Sequence, residues 1–169
     1  MKITSRLAYF LGFIVICGLL AFATYLQKVK GVNPCPLCIF QRFVFIALGA
    51  VFLLAAILNL KKIGNIIFSS VAYIIALVGI LLAGRQVWLQ HVPRSAGFDC
   101  AASLEYMMQS LPIKQVLEKV LMGTSECTLV DWQFLNLSLA EWSLICFCLF
   151  LFFSAWQFFY SFKLRAKMR

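Results

Sequence analysis

Residues 43–60 read FVFIALGAVFLLAAILNL, a run of 18 residues without a single Asp, Glu, Lys, Arg or His. Three further runs lack these residue types, 7–26, 66–84 and 142–162, with lengths of 20, 19 and 21 residues. A helix of about 20 residues crosses the hydrocarbon core of a bilayer, and only helices or closed barrels satisfy the backbone there. The four runs therefore predict an all-α membrane protein with four transmembrane helices.

The composition excludes an ordinary soluble domain. The chain has 169 residues, of which 63% are hydrophobic and 12% charged, whereas soluble domains contain about 25% charged residues. The connection at 61–65 is too short for anything but antiparallel neighbours, so consecutive spans form an up-down-up-down bundle. We predict one integral membrane domain over residues 1–169, with outer loops at 27–42 and 85–141.

The first run has a second interpretation, a secretory signal peptide. Lys2 and Arg6 precede it, and Ala21-Phe22-Ala23 resembles a signal-peptidase site. The apolar run is already near the upper length limit for a signal peptide before it reaches those alanines, so we favour a retained helix. Cleavage would leave the 27–42 loop on the same side of the membrane.

The placement of basic residues predicts the orientation. Segments 1–6, 61–65 and 163–169 together hold eight basic and no acidic residues in 18 positions. The opposite side, 27–42 plus 85–141, holds seven basic residues in 73 positions and all six acidic residues. Basic flanks stay in the cytoplasm, so we expect cytoplasmic termini and outer loops on the other side. The net charge of +9 then needs no nucleic-acid partner.

The long outer loop contains one segment with helical periodicity. Its apolar residues recur on one face between a Pro suited to a first turn and a Gly suited to a stop: Pro112, Ile113, Val116, Leu117, Val120, Leu121 and Gly123. The segment is too short to span a bilayer. We expect a short amphipathic helix that lies along the outer leaflet or packs on the tops of the bundle helices.

A Cys-x-x-Cys pair, Cys35-Pro36-Leu37-Cys38, stands directly before the second span. Such pairs are redox or metal motifs, and at a membrane surface the pair can face both an aqueous protein and a lipid-soluble electron carrier. The positive end of the helix dipole and Arg42, one turn later, can each stabilise a Cys38 thiolate. The alternative for Arg42 is an interfacial guanidinium that reaches to water.

Two further cysteines, Cys100 and Cys127, lie in the other outer loop. In a bacterium that side of the membrane is the periplasm, where disulfides persist. The four loop cysteines allow three pairings, of which Cys35–Cys38 with Cys100–Cys127 is the natural resting one. Purely structural disulfides fit Cys100–Cys127 better than the two-residue loop of Cys35–Cys38. Structural zinc prefers two Cys-x-x-Cys knuckles and the chain has one, so we expect no metal.

These features together resemble the disulfide bond formation protein B (DsbB) family over nearly the whole chain. The resemblance rests on the order of the four spans and on Cys-Pro-Leu-Cys followed four residues later by Arg42. It also rests on residues 84–90, GRQVWLQ, after the third span, and on the two cysteines of the last outer loop.

The resemblance implies a quinone-dependent protein-disulfide oxidase in the bacterial inner membrane. In that family, the reduced soluble thiol oxidase DsbA passes electrons to the pair matching Cys100 and Cys127, and exchange moves them to Cys35 and Cys38. Cys38 then passes them to ubiquinone or menaquinone, assisted by Arg42. The DsbA–DsbB–quinone system keeps the bacterial periplasm oxidising.

The residues expected at the quinone are Arg42, Gln86, Arg85 and Trp88. Some family members carry a His at the position that matches Gln86, whereas the only His of this chain is His91. The polar contact to the quinone ring therefore stays open between Gln86, Arg85 and His91.

Two other functions are compatible with the pattern. One is a thiol/quinone oxidoreductase resembling vitamin K epoxide reductase, which also pairs a four-helix bundle with loop cysteines. The other is a non-enzymatic membrane scaffold or transporter subunit with structural disulfides. A transporter is disfavoured because the four uncharged runs contain none of the ionisable residues that ion pathways use.

Overall fold

A computed structural model of the chain describes residues 5–31, 35–58, 62–91, 112, 115 and 132–166. These residues form four helices and one short hairpin, in the order α1 Ser5–Val29, α2 Pro36–Ile57, α3 Lys62–His91, β1 Gln133–Phe134, β2 Leu137–Ser138 and α4 Leu139–Ala166. All four helices are long and apolar enough to cross a membrane. The predicted all-α fold with four membrane-spanning helices is confirmed.

The helices extend beyond the uncharged runs that predicted them. α2 begins at Pro36, seven residues before position 43, and α3 continues to His91, seven residues beyond position 84. Residues 36–42 and 85–91, which we predicted to lie in the outer loops, are therefore helical. Pro36 occupies the first helical turn, where its missing N–H is not needed and its fixed φ favours the helix.

The fourth helix begins with a hairpin and a cap. Strands β1 and β2 pair antiparallel across a two-residue turn in which Leu135 and Asn136 have positive φ angles of 54° and 60°. The Ser138 backbone N–H then donates to Glu141 Oε2 at 2.6 Å, and the Glu141 N–H donates to Ser138 Oγ at 3.3 Å. This reciprocal capping box starts α4 three residues before the uncharged run at 142–162.

Successive helices pack against each other, and the α3–α4 interface is the most extensive. One end of the bundle contains the start of α1 and the end of α4. There Arg6 Nε of α1 donates to the Ala56 carbonyl of α2 at 3.0 Å. At the same end, the Asn65 side-chain amide of α3 donates to the Ser161 hydroxyl of α4. Cys35 lies at the opposite end, because α1 and α2 run antiparallel.

Aromatic rings fill the middle of the bundle. Phe45 of α2 stacks on Phe147 of α4, with ring centroids 4.0 Å apart and an interplanar angle of 13°. Further along α2, Phe52 meets Phe150 of α4 edge-on at 5.8 Å and Tyr9 of α1 at 5.6 Å. Such offset and edge-on ring pairs are favourable beyond the area they bury. They join α1, α2 and α4 across the bundle axis.

The predicted amphipathic helix between Pro112 and Gly123 lies almost entirely outside the described residues. Of this segment the structure describes Pro112 and Gln115, and the Gln115 backbone N–H donates to the Pro112 carbonyl at 2.9 Å. The helix itself stays a prediction.

A glycine allows α3 and α4 to approach closely. A Cβ placed on Gly79 would lie 2.7 Å from Phe147 Cγ and closer still to Cδ1 and Cε1 of the same ring. The same ring is stacked on Phe45, and this contact limits how far Phe147 can withdraw. Gly79 is therefore required by packing.

Gly79→Ala should lower the unfolding temperature of the protein in detergent. The added methyl group overpacks the interface at Phe147, and such overpacking costs typically 1–3 kcal/mol. The matched control is Gly84→Ala on the same helix, since no described atom lies within 4 Å of a Cβ at that position. Gly84→Ala should retain or raise the unfolding temperature, because Ala favours helix over Gly. Equal unfolding temperatures for the two variants would contradict the packing role of Gly79.

Candidate active site

Cys35 caps the second helix with its sulfur. Its backbone is extended, with φ −66° and ψ 161°, and its Sγ accepts a hydrogen bond from the Cys38 backbone N–H at 3.4 Å. An N-cap side chain normally supplies an oxygen for this purpose, because the first helical N–H groups have no partner within the helix. Here sulfur takes that position, where the helix dipole favours negative charge.

The two sulfurs of the Cys-x-x-Cys pair face each other. Cys35 Sγ and Cys38 Sγ are 3.1 Å apart, a contact distance rather than the about 2.05 Å of a disulfide bond. Cys35 is buried with 5% of its surface exposed, and Cys38 is half-buried. One turn of helix therefore holds both sulfurs ready to be joined or exchanged.

A buried amide contacts both sulfurs. Gln86, on the last two turns of α3, donates from Nε2 to Cys38 Sγ at 3.0 Å and to Cys35 Sγ at 3.3 Å. Only 3% of the Gln86 surface is exposed. Gln86 is one of the predicted quinone contacts. In the structure it contacts the two sulfurs themselves.

Two further polar side chains continue from Gln86 into the bundle. Gln41 Nε2 of α2 donates to Gln86 Oε1 at 2.7 Å, and Ser143 Oγ of α4 lies 2.6 Å from Gln41 Oε1. Gln41 is as buried as Gln86, with 4% of its surface exposed. Gln41 and Ser143 are not predicted from the sequence, because the bonded pairs are 45 and 102 residues apart along the chain.

Arg42 lies on the second turn of α2 and reaches across to α1. Its Nη1 donates to Gln27 Oε1 at 2.5 Å, and its Nη2 donates to the Ala23 carbonyl at 3.3 Å. Residues four apart share a helix face, so Arg42 lies one turn from Cys38 as expected. Among the described residues, however, its hydrogen bonds go to α1 and not to a sulfur.

Arg85 and Trp88 lie on a different face of α3 from Gln86. The Arg85 guanidinium carbon is 4.4 Å from the centroid of the Trp88 ring, a cation–π contact. Trp88 is 54% exposed whereas Gln86 is 3% exposed, in keeping with the roughly 200° that separate two helical positions two residues apart. Of the four predicted quinone contacts, the structure brings Gln86 alone against the sulfurs.

Several predicted features lie elsewhere. His91, the third candidate for the ring contact, places Nδ1 2.9 Å from the Val87 carbonyl of its own helix. Cys100 and Cys127 lie outside the described residues, so their predicted pairing stays a prediction. Within the described parts of the chain no three His, Cys, Asp or Glu side chains group as metal ligands.

The arrangement is suited to thiol–disulfide chemistry. Exchange needs an ionised sulfur, and thiolates are favoured at helix N-termini and beside hydrogen-bond donors. Cys35 has a backbone and a side-chain donor, and Cys38 has the donor from Gln86. The site also stands at one end of a bundle of helices that are apolar enough to cross a membrane.

Comparison with known proteins identifies a matching family and several relatives of this chain. The family model described as disulfide bond formation protein DsbB matches residues 5–157. The chain is 45% identical over 145 residues to disulfide bond formation protein B of Hahella chejuensis, covering 86% of this chain and 88% of the relative. It is 43% identical over 161 residues to the Acinetobacter baumannii protein of the same name, covering 91% and 93%.

A further relative is disulfide bond formation protein B 1 of Pseudomonas aeruginosa, which is 42% identical over 155 residues. That alignment covers 92% of this chain and 95% of the relative. The family-model match therefore runs from the start of α1 into α4 and includes the segments between the helices. The matches favour the family resemblance seen in the sequence over a resemblance to vitamin K epoxide reductase or a membrane scaffold.

Proposed function

The chain belongs to the disulfide bond formation protein B family, and from that premise we propose that it is a quinone-dependent oxidase of a soluble periplasmic dithiol protein. The observation that carries this proposal is the pair of facing sulfurs at the start of a membrane-spanning helix, 3.1 Å apart and contacted by Gln86. A dithiol in that position can exchange with a protein on one side and deliver electrons to a carrier in the lipid.

The proposed reaction oxidises two thiols of the partner, a DsbA-like thiol oxidase, to a disulfide. A partner thiolate attacks the Cys100–Cys127 disulfide at Cys100, and the second partner thiol displaces Cys100 from the mixed disulfide. The resulting Cys100 and Cys127 thiols reduce the Cys35–Cys38 disulfide by the same exchange. Two electrons and two protons then leave Cys35 and Cys38, and the disulfide between them is restored.

The described residues fit a quinone as the final acceptor. A bound ubiquinone or menaquinone would supply an acceptor for two electrons and two protons. Arg42 is one turn from Cys38 and carries five N–H donors, of which two are used by Gln27 and Ala23. The remaining donors can bind a quinone carbonyl oxygen, and the Gln27 and Ala23 contacts hold the guanidinium in place for it.

Arg85 and Trp88 have a more peripheral place in the proposed site. The indole of Trp88 is exposed, and Arg85 covers one of its faces. An aromatic surface at the outer end of the bundle can receive the quinone ring from the lipid. Gln86, on the inner face of the same helix, acts on the sulfurs instead, which separates its role from that of Arg85 and Trp88.

We assign the protein to the bacterial inner membrane with both termini in the cytoplasm. The support is the excess of basic residues in 1–6, 61–65 and 163–169. In that orientation Cys35 and Cys38 lie on the periplasmic side, together with the loop that carries Cys100 and Cys127. That compartment is oxidising and contains soluble dithiol proteins.

Arg42→Ala should slow quinone reduction at least about tenfold, because hydrogen bonds from a charged donor contribute roughly 1.5–3 kcal/mol. The measurement is the loss of quinone absorbance when the purified protein is mixed with quinone and a reduced DsbA-like protein. The matched control is Arg6→Ala, which removes a guanidinium bonded to a backbone carbonyl at the other end of the bundle. Quinone kinetics that are equal for both variants would remove Arg42 from the site.

Cys127→Ser should trap a covalent complex with the soluble partner. The Cys100 thiolate attacks the disulfide of an oxidised DsbA-like protein, which forms a mixed disulfide and frees the second partner thiol. Without Cys127 this protein has no neighbouring thiol that displaces the partner by forming the Cys100–Cys127 disulfide, so only the second partner thiol can reverse the reaction. The complex is detected as a band of summed mass on a non-reducing gel that disappears on reduction. The control is the double variant Cys100→Ser/Cys127→Ser, which should give no band. An adduct in that control, or none with Cys127→Ser, would contradict direct exchange through Cys100.

A further inference from the structure

A line of three hydrogen-bonded polar side chains, the buried Gln41 and Gln86 and the partly buried Ser143, ends at the sulfurs. It runs from Ser143 Oγ to Gln41 Oε1 at 2.6 Å, and from Gln41 Nε2 to Gln86 Oε1 at 2.7 Å. From there Gln86 Nε2 reaches the two sulfurs at 3.0 and 3.3 Å. The chain therefore connects α4, α2 and α3 in one line to the Cys-x-x-Cys pair.

The direction of each hydrogen bond in this series of side chains depends on the direction of the bond before it. A carboxamide has a donor end and an acceptor end. If the Ser143 hydroxyl donates to Gln41 Oε1, the Gln41 NH₂ faces Gln86 Oε1. The NH₂ of Gln86, with its two N–H groups, then faces the sulfurs. Reversal of the first bond would turn both amides and present the Gln86 oxygen to the sulfurs instead.

The Ser143 hydroxyl has one proton and two acceptors within reach. Its Oγ is 2.6 Å from Gln41 Oε1 and 2.9 Å from the Ala140 carbonyl of its own helix. Donation to Gln41 sets the amides with N–H toward sulfur. Donation to Ala140 would leave Ser143 Oγ as an acceptor for the Gln41 NH₂, which is the reversed arrangement. The shorter contact is the one to Gln41.

We propose that Gln41 and Ser143 are positioning residues for the thiol exchange, holding the Gln86 carboxamide with its N–H groups toward Cys35 and Cys38. Neither residue needs to contact a sulfur, since each acts through Gln86. The inference rests on the proposed function, which identifies Cys35 and Cys38 as the reacting thiols. It adds that the hydrogen bonds of Gln86 favour the ionised form of these thiols.

The positioning role depends on the burial of the two amides. Gln41 and Gln86 are 4% and 3% exposed, so water cannot readily replace a lost bond or reorient an amide. In such surroundings a hydrogen bond to an ionised group contributes more than one between neutral groups. N–H groups directed at sulfur favour the thiolate, whereas an amide oxygen directed at sulfur favours the protonated thiol.

Charged and titratable side chains at the same end of the bundle occur on all four helices. Among the described residues they are Tyr25 and Lys28 on α1 with Lys30 just after it, Arg42 on α2, Arg85 and His91 on α3, and Glu141 on α4. Arg42 is bonded to α1, Arg85 lies over Trp88, His91 approaches the Val87 carbonyl, and Glu141 caps α4. Removal of the Ser143 hydroxyl changes none of these charges, so a change in thiol ionisation cannot be attributed to them.

The test is the pH profile of thiol alkylation in Ser143→Ala. The full-length protein is fully reduced in detergent, without quinone or partner, and treated with iodoacetamide at a series of pH values. Modification of the peptide that contains Cys35 and Cys38 is quantified by mass spectrometry. We expect the midpoint of the profile to rise by about one pH unit, so that alkylation below the midpoint slows about tenfold. Gln41→Leu should have the same effect.

Two controls separate positioning from packing. Ser143→Thr retains the hydroxyl and should retain the parent profile. Ser154→Ala removes a different serine hydroxyl from α4, one that is fully buried and has no hydrogen-bond partner among the described residues. It lies eleven residues further along the helix and should leave the profile unchanged.

The outcomes distinguish this inference from the proposed function. A Ser143→Ala profile that superimposes on the parent profile would overturn the positioning role, whatever the quinone activity. A Ser143→Thr profile that matches Ser143→Ala would also overturn it, because the hydroxyl would then be irrelevant. A shifted profile in a protein whose parent does not reduce quinone would uphold the positioning role and contradict the proposed function.

Discussion

The structure depends on a constraint that the bilayer imposes on polar groups. Within a helix bundle that lipid surrounds, bulk water cannot bind a buried amide, so an amide without a partner inside the protein costs several kcal/mol. At the end of the bundle where α2 begins, Gln86 finds partners in the sulfurs of Cys35 and Cys38. The same bonds that satisfy the amide therefore supply donors to the reactive atoms.

The bundle supplies the rigidity that this arrangement needs. The α3–α4 interface closes on Gly79 and Phe147, and the Phe45–Phe147 stack ties the same ring to α2. The same three helices carry Gln86, Gln41 and Ser143. These residues lie one or two turns from the packed rings, nearer the end of the bundle that holds Cys35 and Cys38. Because close-packed interiors deform little, the packing of the rings fixes the spacing of the polar chain above them.

Much of the fold follows from the sequence, and the ends of the helices do not. Uncharged runs identify all four helices, but a charged residue bounds a run even where the helix continues, as at Arg42 of α2 and Arg85 of α3. Gln41 and Arg42 are helical because each finds a partner on a neighbouring helix, and that partner is not visible in local sequence. The start of α4 could have been predicted from the sequence, because Ser138 and Glu141 have the spacing of a capping box.

The chemistry of the site is only partly readable from the sequence. The Cys-x-x-Cys spacing identifies Cys35 and Cys38 as a candidate redox pair. The apolar run that follows predicts that they lie at the positive end of a helix dipole. Gln86 is found by resemblance, yet with a different role from the one its contacts support. Ser143 could not be found, because a serine in an apolar helix has no special pattern and its partner lies 102 residues earlier.

The most direct measurement of the central claim is the stoichiometry of quinone reduction by the purified protein with a reduced DsbA-like dithiol. The account predicts one quinone reduced for each partner disulfide formed, and no reduction when Cys35 and Cys38 are both replaced by Ser in a protein that still unfolds at the parent temperature. Quinone reduction at the parent rate by that double variant would show that electrons bypass these sulfurs, and would contradict the account.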